Sequence, residues 1–164
     1  MNQPSISRAA APDLSEELAQ IVRSFRADSG TVHVLRPDGL LHLLAATEGL
    51  PGPVLATIAK IPVGKGMAGL AVQRGCAVDA CNIQTDTSGD VRPGAKATGL
   101  AGAIVVPIFR GDAAVGALGI GNRGERTFAA AEIDELIAAG RRVAARPEFE
   151  SAGSVAVPRR FRQT

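Results

Sequence analysis

The sequence predicts an α/β fold organised on a central antiparallel β-sheet. Two pairs of extended runs predict the sheet. Gly30 to Leu35 and Leu40 to Thr47 flank the turn Pro37-Asp38-Gly39, and Ala103 to Phe109 and Ala113 to Ile120 flank Arg110-Gly111-Asp112. Runs joined this tightly pair as antiparallel hairpins. Near each end of the chain, apolar residues recur at helical spacing, as in helices that cover a sheet.

Residues 1–12 are small and polar with Pro4 and Pro12, and read as a disordered tail. Asp13 is placed to cap the first helix, with Glu16 three residues on as in a capping box. Leu14, Leu18, Ile21, Val22 and Phe25 form its stripe, which suits either the chain's own sheet or the matching helix of a second copy. In the first hairpin Pro37 presets φ and Gly39 supplies positive φ. His33 and His42 lie on its strands and read as edge or surface residues, with no carboxylate or thiol at metal spacing. Pro53 to Lys60 reads as a short helix with Pro in its first turn, stopped by Pro62.

Gly64 and Gly66 lead into a helix from Met67 to Arg74, which Gly75 ends. Those glycines either let the helix lie close on the sheet or leave N–H groups free for an anion, with Lys65 adding charge. Cys76 to Ala80 reads as a short central strand, on which period two points Cys76 and Cys81 to opposite faces. Asn82 to Thr98 is too long and too polar for a simple connection, and loops of this kind inside a domain are usually functional. It reads as the wall or lid of a ligand pocket. Gly116, Gly119 and Gly121 on the last long strand either admit close packing or leave room for a ligand. Thr127 is placed to cap a final helix with the stripe Phe128, Ile133, Leu136, Ile137 and Val143, and Pro147 ends it. The domain thus spans residues 13–146, and residues 147–164 read as a flexible basic tail with no packing pattern.

Composition narrows the function. Hydrophobic residues make up 46% of the 164, enough for a core, but aromatics are 3%, with no Trp or Tyr. Any pocket is therefore aliphatic, and the stacking platforms of single-stranded nucleic-acid binding are missing. The net charge of +2 falls to about −1 once Arg159, Arg160 and Arg162 are set aside, so nucleic acid is an unexpected partner for the body of the chain. No apolar run approaches the ~18–20 residues of a membrane span, and residues 1–13 lack the pattern of a signal peptide. A cytoplasmic location is expected. Two cysteines are too few for a disulfide scaffold.

The segments Ile61 to Gly69 (IPVGKGMAG), Val105 to Ile108 (VVPI), Val115 to Ile120 (VGALGI) and Phe128 with its helix occur in the order and at the spacing of a GAF domain, which this chain resembles over roughly residues 14–145. The resemblance implies five or six antiparallel strands flanked by helices on both sides. It also implies a stand-alone sensor that binds a small molecule and signals to a separate partner, often as a homodimer through its terminal helices. Within the family, the Asn-Lys-Phe-Asp-Glu signature of cyclic-nucleotide binders is missing here, and neither thiol has the aromatic, His-rich context of bilin attachment. Free methionine sulfoxide reductases carry three characteristic cysteines; this chain has two, not at matching positions. A stand-alone nitrate-binding member is known, which makes a small oxyanion a natural ligand. No cofactor is named by these motifs.

No nucleophile elbow, paired histidines or zinc spacing is present, so no enzyme activity is expected. The expected function is the binding of a small, anionic ligand between the sheet and the Asn82–Thr98 loop. Arg92 offers a planar fork of donors and Lys96 a point charge four residues on, against salt bridges to Asp86 and Asp90 that would neutralise both. Met67, Cys81, Asp86, Ser88, Arg92, Lys96, Thr98 and Val105 are the candidate ligand-binding residues. The alternatives are a thiol redox protein using Cys76 or Cys81, and a ligand-free dimerisation module.

Overall fold

The structure is a computed structural model and describes residues 12–157. Its sheet contains β1 (Ser29–Leu35), β2 (Leu40–Ala46), β3 (Lys60–Pro62), β4 (Val78–Ala80), β5 (Ala103–Arg110), β6 (Ala113–Gly121) and β7 (Val155–Ala156). The order is β3-β2-β1-β6-β5-β4, with β7 added on β6, and every pair is antiparallel. Both hairpins form, and β6 joins them by pairing with β1 on one side and β5 on the other. Seven strands appear where five or six are expected, because β3 and β7 are three and two residues long, too short to show a period in sequence. The strand expected from Cys76 is shorter, Val78–Ala80, and lies at the sheet's edge instead of its centre.

Helices cover both faces. On one side lie α1 (Leu14–Ser24) and α4 (Ala130–Ala144), whose buried residues share a cluster with Val32, Val34, Ile104, Val106, Leu118 and Ile120. On the other lie α2 (Gly52–Ile58) and α3 (Gly66–Arg74), with a 3-10 helix from Pro93 to Thr98. Here Leu41, Ile61, Val72 and Ala117 form a second buried cluster. The split follows from strand alternation: neighbours along β1 and β5 face opposite layers. Asp13 caps α1 through a 2.8 Å bond from the Glu16 amide. Thr127 does not cap α4. Glu132 does that work, accepting from the Ala129 amide at 3.1 Å and from Arg126 at 2.8 Å.

The apolar stripes of α1 and α4 are spent inside the chain. Leu14, Leu18, Ile21 and Val22 of α1, and Leu136 and Val143 of α4, are all buried against the chain's own sheet. A second copy would have to use their outer faces.

The chain packs beyond residue 146. A 3-10 turn at Pro147–Phe149 places Phe149 in the core with no exposed surface, and β7 then pairs with Ala113 and Ala114. Residues 147–157 therefore depart from the flexible tail that sequence suggests. A single aromatic residue after a helix-ending proline carries no period to read. Arg110 at the end of β5 donates to the carbonyls of both Ala144 and Phe149, tying this segment to the sheet. The expected disorder of residues 1–11 and the basic end at residues 158–164 lie outside the described residues.

Phe149→Ala should cost about 3–5 kcal/mol by leaving a cavity under the sheet. In a chain of this size that lowers Tm by roughly 6–20 °C, measurable by calorimetry. An unchanged Tm would mean that this segment does not contribute to the core.

Candidate functional site

Small residues on β6 open a cavity between the sheet and its second helical layer. Residues 117, 119 and 121 of β6 face that layer, and they are Ala117, Gly119 and Gly121. The intervening Leu118 and Ile120 fill the opposite core. The resulting cavity measures about 320 Å³. Its floor includes Thr31, His33, Ala103, Val105, Gly119 and Gly121. Val54, Thr57 and Ile58 of α2 roof one side, and Pro93, Gly94, Ala95 and Thr98 roof the other. The two roofs meet where Gly94 lies against the Thr57 methyl group. Gln84 holds the second roof by donating to the carbonyls of Lys96 and Leu100 at 3.0 and 2.8 Å.

The glycines of β6 therefore divide between two roles. Gly116 is a packing residue, since a Cβ there would lie 2.2 Å from the His33 carbonyl oxygen and 2.9 Å from the Phe149 ring. Gly119 and Gly121 line the cavity, and at Gly121 the Leu100 side chain also packs over the backbone, 2.6 Å from where a Cβ would sit.

The first turn of α3 also borders the cavity, through Lys65, Gly66, Met67 and Ala68. Gly66 has φ +64, and the aliphatic stem of Arg92 crosses it, 2.9 Å from where a Cβ would sit. Gly69 serves packing instead: a Cβ there would lie 2.4 Å from the Pro62 carbonyl oxygen. Lys65 and Arg92 both line the cavity and both reach solvent, so they stand at its rim.

The acids of the loop are occupied elsewhere. Asp90 makes a two-pronged pair with Arg74 at 2.9 and 3.2 Å, and the Arg74 guanidinium holds its carboxyl below the usual range. Asp86 accepts from the Ser88 amide and hydroxyl, and the Ser88 hydroxyl accepts from the Asp90 amide. Among the described residues, neither Lys65 nor Arg92 has an ion-pair partner.

Of the residues expected at the site, Met67, Arg92, Thr98 and Val105 line the cavity. Cys81, Asp86, Ser88 and Lys96 do not. Asp86 and Ser88 build the loop's own turn. Lys96 is exposed on the 3-10 helix, whereas its neighbour Ala95 faces inward. Cys81 is exposed just past the edge strand, with its sulfur 3.9 Å from the Thr127 hydroxyl. Cys76 is half-buried, and burial pushes its thiol up. Lys65, Thr31 and His33 are cavity residues that sequence did not mark as ligand groups. Lys65 was legible as a charge beside a glycine-rich helix start; the other two carried no signal beyond strand alternation.

His33 is 2% exposed, so it is neither an edge nor a surface residue. Its Nε2 lies 2.8 Å from the Ile58 carbonyl. A carbonyl only accepts, so Nε2 carries the proton, and the bond pins the end of α2 over the cavity. Burial holds His33 below the ordinary histidine range, against a smaller raising effect of the Ile58 bond, and the charge of His42 adds to the lowering. His42 itself meets Asp38 at 2.8 Å across the hairpin turn.

The sequence model of the GAF domain family matches residues 9–145. No curated protein matches the chain. Among solved structures, the GAF domain of a phosphoenolpyruvate-protein phosphotransferase (ptsP) from Coxiella burnetii is similar, with TM-score 0.67 and 21% identity over 83% of each chain. A free methionine-R-sulfoxide reductase from Neisseria meningitidis, solved in complex with its substrate, has TM-score 0.66 and 19% identity, covering 84% of this chain and 76% of that one. An NreA protein from Staphylococcus aureus, mutated in its nitrate binding site, has TM-score 0.58 and 16% identity, covering 70% and 86%. At these identities the likeness is one of fold. Among the described residues no helix is long and apolar enough to cross a membrane.

Two outcomes follow from the geometry. Because the unfolded chain binds a proton at His33 near pH 6.5 and the folded chain resists it, the stability His33 contributes is complete above that pH and is lost as pH falls through it. Melts between pH 8 and 5.5 should show Tm dropping below about pH 6.5, and His33→Gln should flatten that drop; identical profiles would exclude the effect. In timed alkylation read by mass spectrometry, Cys81 should react well before Cys76, whose thiol burial keeps protonated. Equal rates would contradict that placement.

Proposed function

The chain belongs to the GAF domain family, and from that premise we propose that it is a small-molecule sensor whose cavity binds a small anion and whose occupied state is read by a separate partner. The observation that carries this reading is a pair of cations, Lys65 and Arg92, that have no ion-pair partner among the described residues and stand on the rim of a mainly apolar cavity. The start of α3 beside them adds the positive end of a helix dipole. The loop's acids would defeat the reading if they paired with Arg92, and they pair with Arg74 and Ser88 instead. A nitrate binding site is named for the NreA protein of similar fold.

A thiol redox function has less support, because neither Cys76 nor Cys81 lines the cavity. A homodimer through the terminal helices is not required by the proposal, since their apolar stripes are already covered.

Calorimetric titration with nitrate, phosphate and small carboxylates tests the proposal. At least one should bind the wild-type chain. Lys65 and Arg92 are solvent-exposed, so each pair is worth at most about 1 kcal/mol, and Lys65→Ala with Arg92→Ala should weaken binding by roughly ten- to thirtyfold. Lys96→Ala should leave it unchanged. Gly119→Leu should abolish it by filling the floor, at an overpacking cost of about 1–3 kcal/mol. If no anion binds, or the double variant binds as tightly as wild type, the anion-sensor reading fails.

A further inference from the structure

The cavity is much larger than its cationic rim requires. Its 320 Å³ is many times the about 30 Å³ that one water takes up in the liquid. Nitrate or phosphate at the rim would leave most of that space to water. The interior offers such water few partners: Val54, Ile58, Ile61, Ile83 and Val105 line much of it, its polar side chains are mainly hydroxyls such as that of Thr31, and the His33 proton is already given to Ile58. Apolar surface of this kind is better covered by an apolar group. Among the described residues no Phe side chain lines the cavity to stack on a base, and the His33 ring is held by Ile58.

Polarity is arranged along one direction. The floor carries no charge, and among the described residues no carboxylate lines the cavity. Both cations are at the rim, in contact with solvent. A ligand that satisfies every wall has a compact apolar body and a single anionic end.

Resting on the anion-sensor reading and naming its ligand, we propose that the cavity takes an organic monocarboxylate, its aliphatic body inserted toward Gly119 and Val105 and its carboxylate held at the rim between Lys65 and Arg92. The carboxylate keeps part of its hydration there, so the body supplies most of the affinity and the cations supply orientation and selection for charge.

The test is a calorimetric series on the full chain with nitrate, acetate, butyrate, hexanoate and dodecanoate, together with 1-hexanol as the uncharged counterpart of hexanoate. Affinity should rise about fourfold per methylene buried from acetate to hexanoate, and fall at dodecanoate once the cavity is overfilled. Hexanoate should bind at least tenfold more tightly than 1-hexanol. The Lys65→Gln and Arg92→Gln double variant should erase that gap and leave 1-hexanol binding unchanged, which also shows that the variant is folded. Nitrate or acetate binding as tightly as hexanoate would overturn the monocarboxylate assignment while leaving the anion sensor standing. Equal binding of 1-hexanol and hexanoate by the wild type would overturn the anion reading itself. Silence toward every probe would overturn both.

Discussion

Strand β6 has bulk on one face only. Leu118 and Ile120 press into the core beneath α1 and α4, while Ala117, Gly119 and Gly121 leave the other face nearly bare. Because β6 pairs with both β1 and β5, it stands in the middle of the sheet, and missing side chains there cannot be made up by neighbouring strands. Packed interiors hold few voids. A central strand this bare therefore needs either a helix pressed onto it or something else to occupy the space. Near Gly116 the first solution holds, with Phe149 against the backbone. Over Gly119 the roofs bridge the gap and a cavity remains, with Leu100 packed against Gly121 at its edge.

The loop over that cavity keeps its charges in order by spending its acids locally. Asp90 anchors to Arg74 on α3, and Asp86 and Ser88 shape the turn before it. A loop rich in both signs thereby presents Arg92, and neither Asp86 nor Asp90, to the cavity. The same internal bonds hold the loop in place, so the ligand proposed for this cavity would need little further ordering of its rim.

The other roof, α2, depends on a buried histidine. His33 reaches from the sheet to the Ile58 carbonyl at the helix's end, which satisfies its buried Nε2. Burial keeps it neutral, so the cavity floor carries no charge to compete with the rim.

By itself the sequence determined the fold class, both hairpins, the first helix with its Asp13 cap, and Arg92 as a cation in a pocket-forming loop. These are written in local periodicity and turn chemistry, which act over a few residues and can be read along the chain. The tertiary structure decided the rest, because it depends on which distant residues meet. Only the fold shows that Asp90 chooses Arg74 over Arg92, that Lys65 and not Lys96 shares the rim, and that His33 is buried. It also decides that Phe149 belongs to the core, and that of three similar glycines on one strand Gly116 serves packing, Gly119 makes room, and Gly121 borders the cavity beneath Leu100. A side chain's partner is set by three-dimensional distance, and the spacing of Asp86 and Asp90 around Arg92 held no information about where Arg74 would arrive.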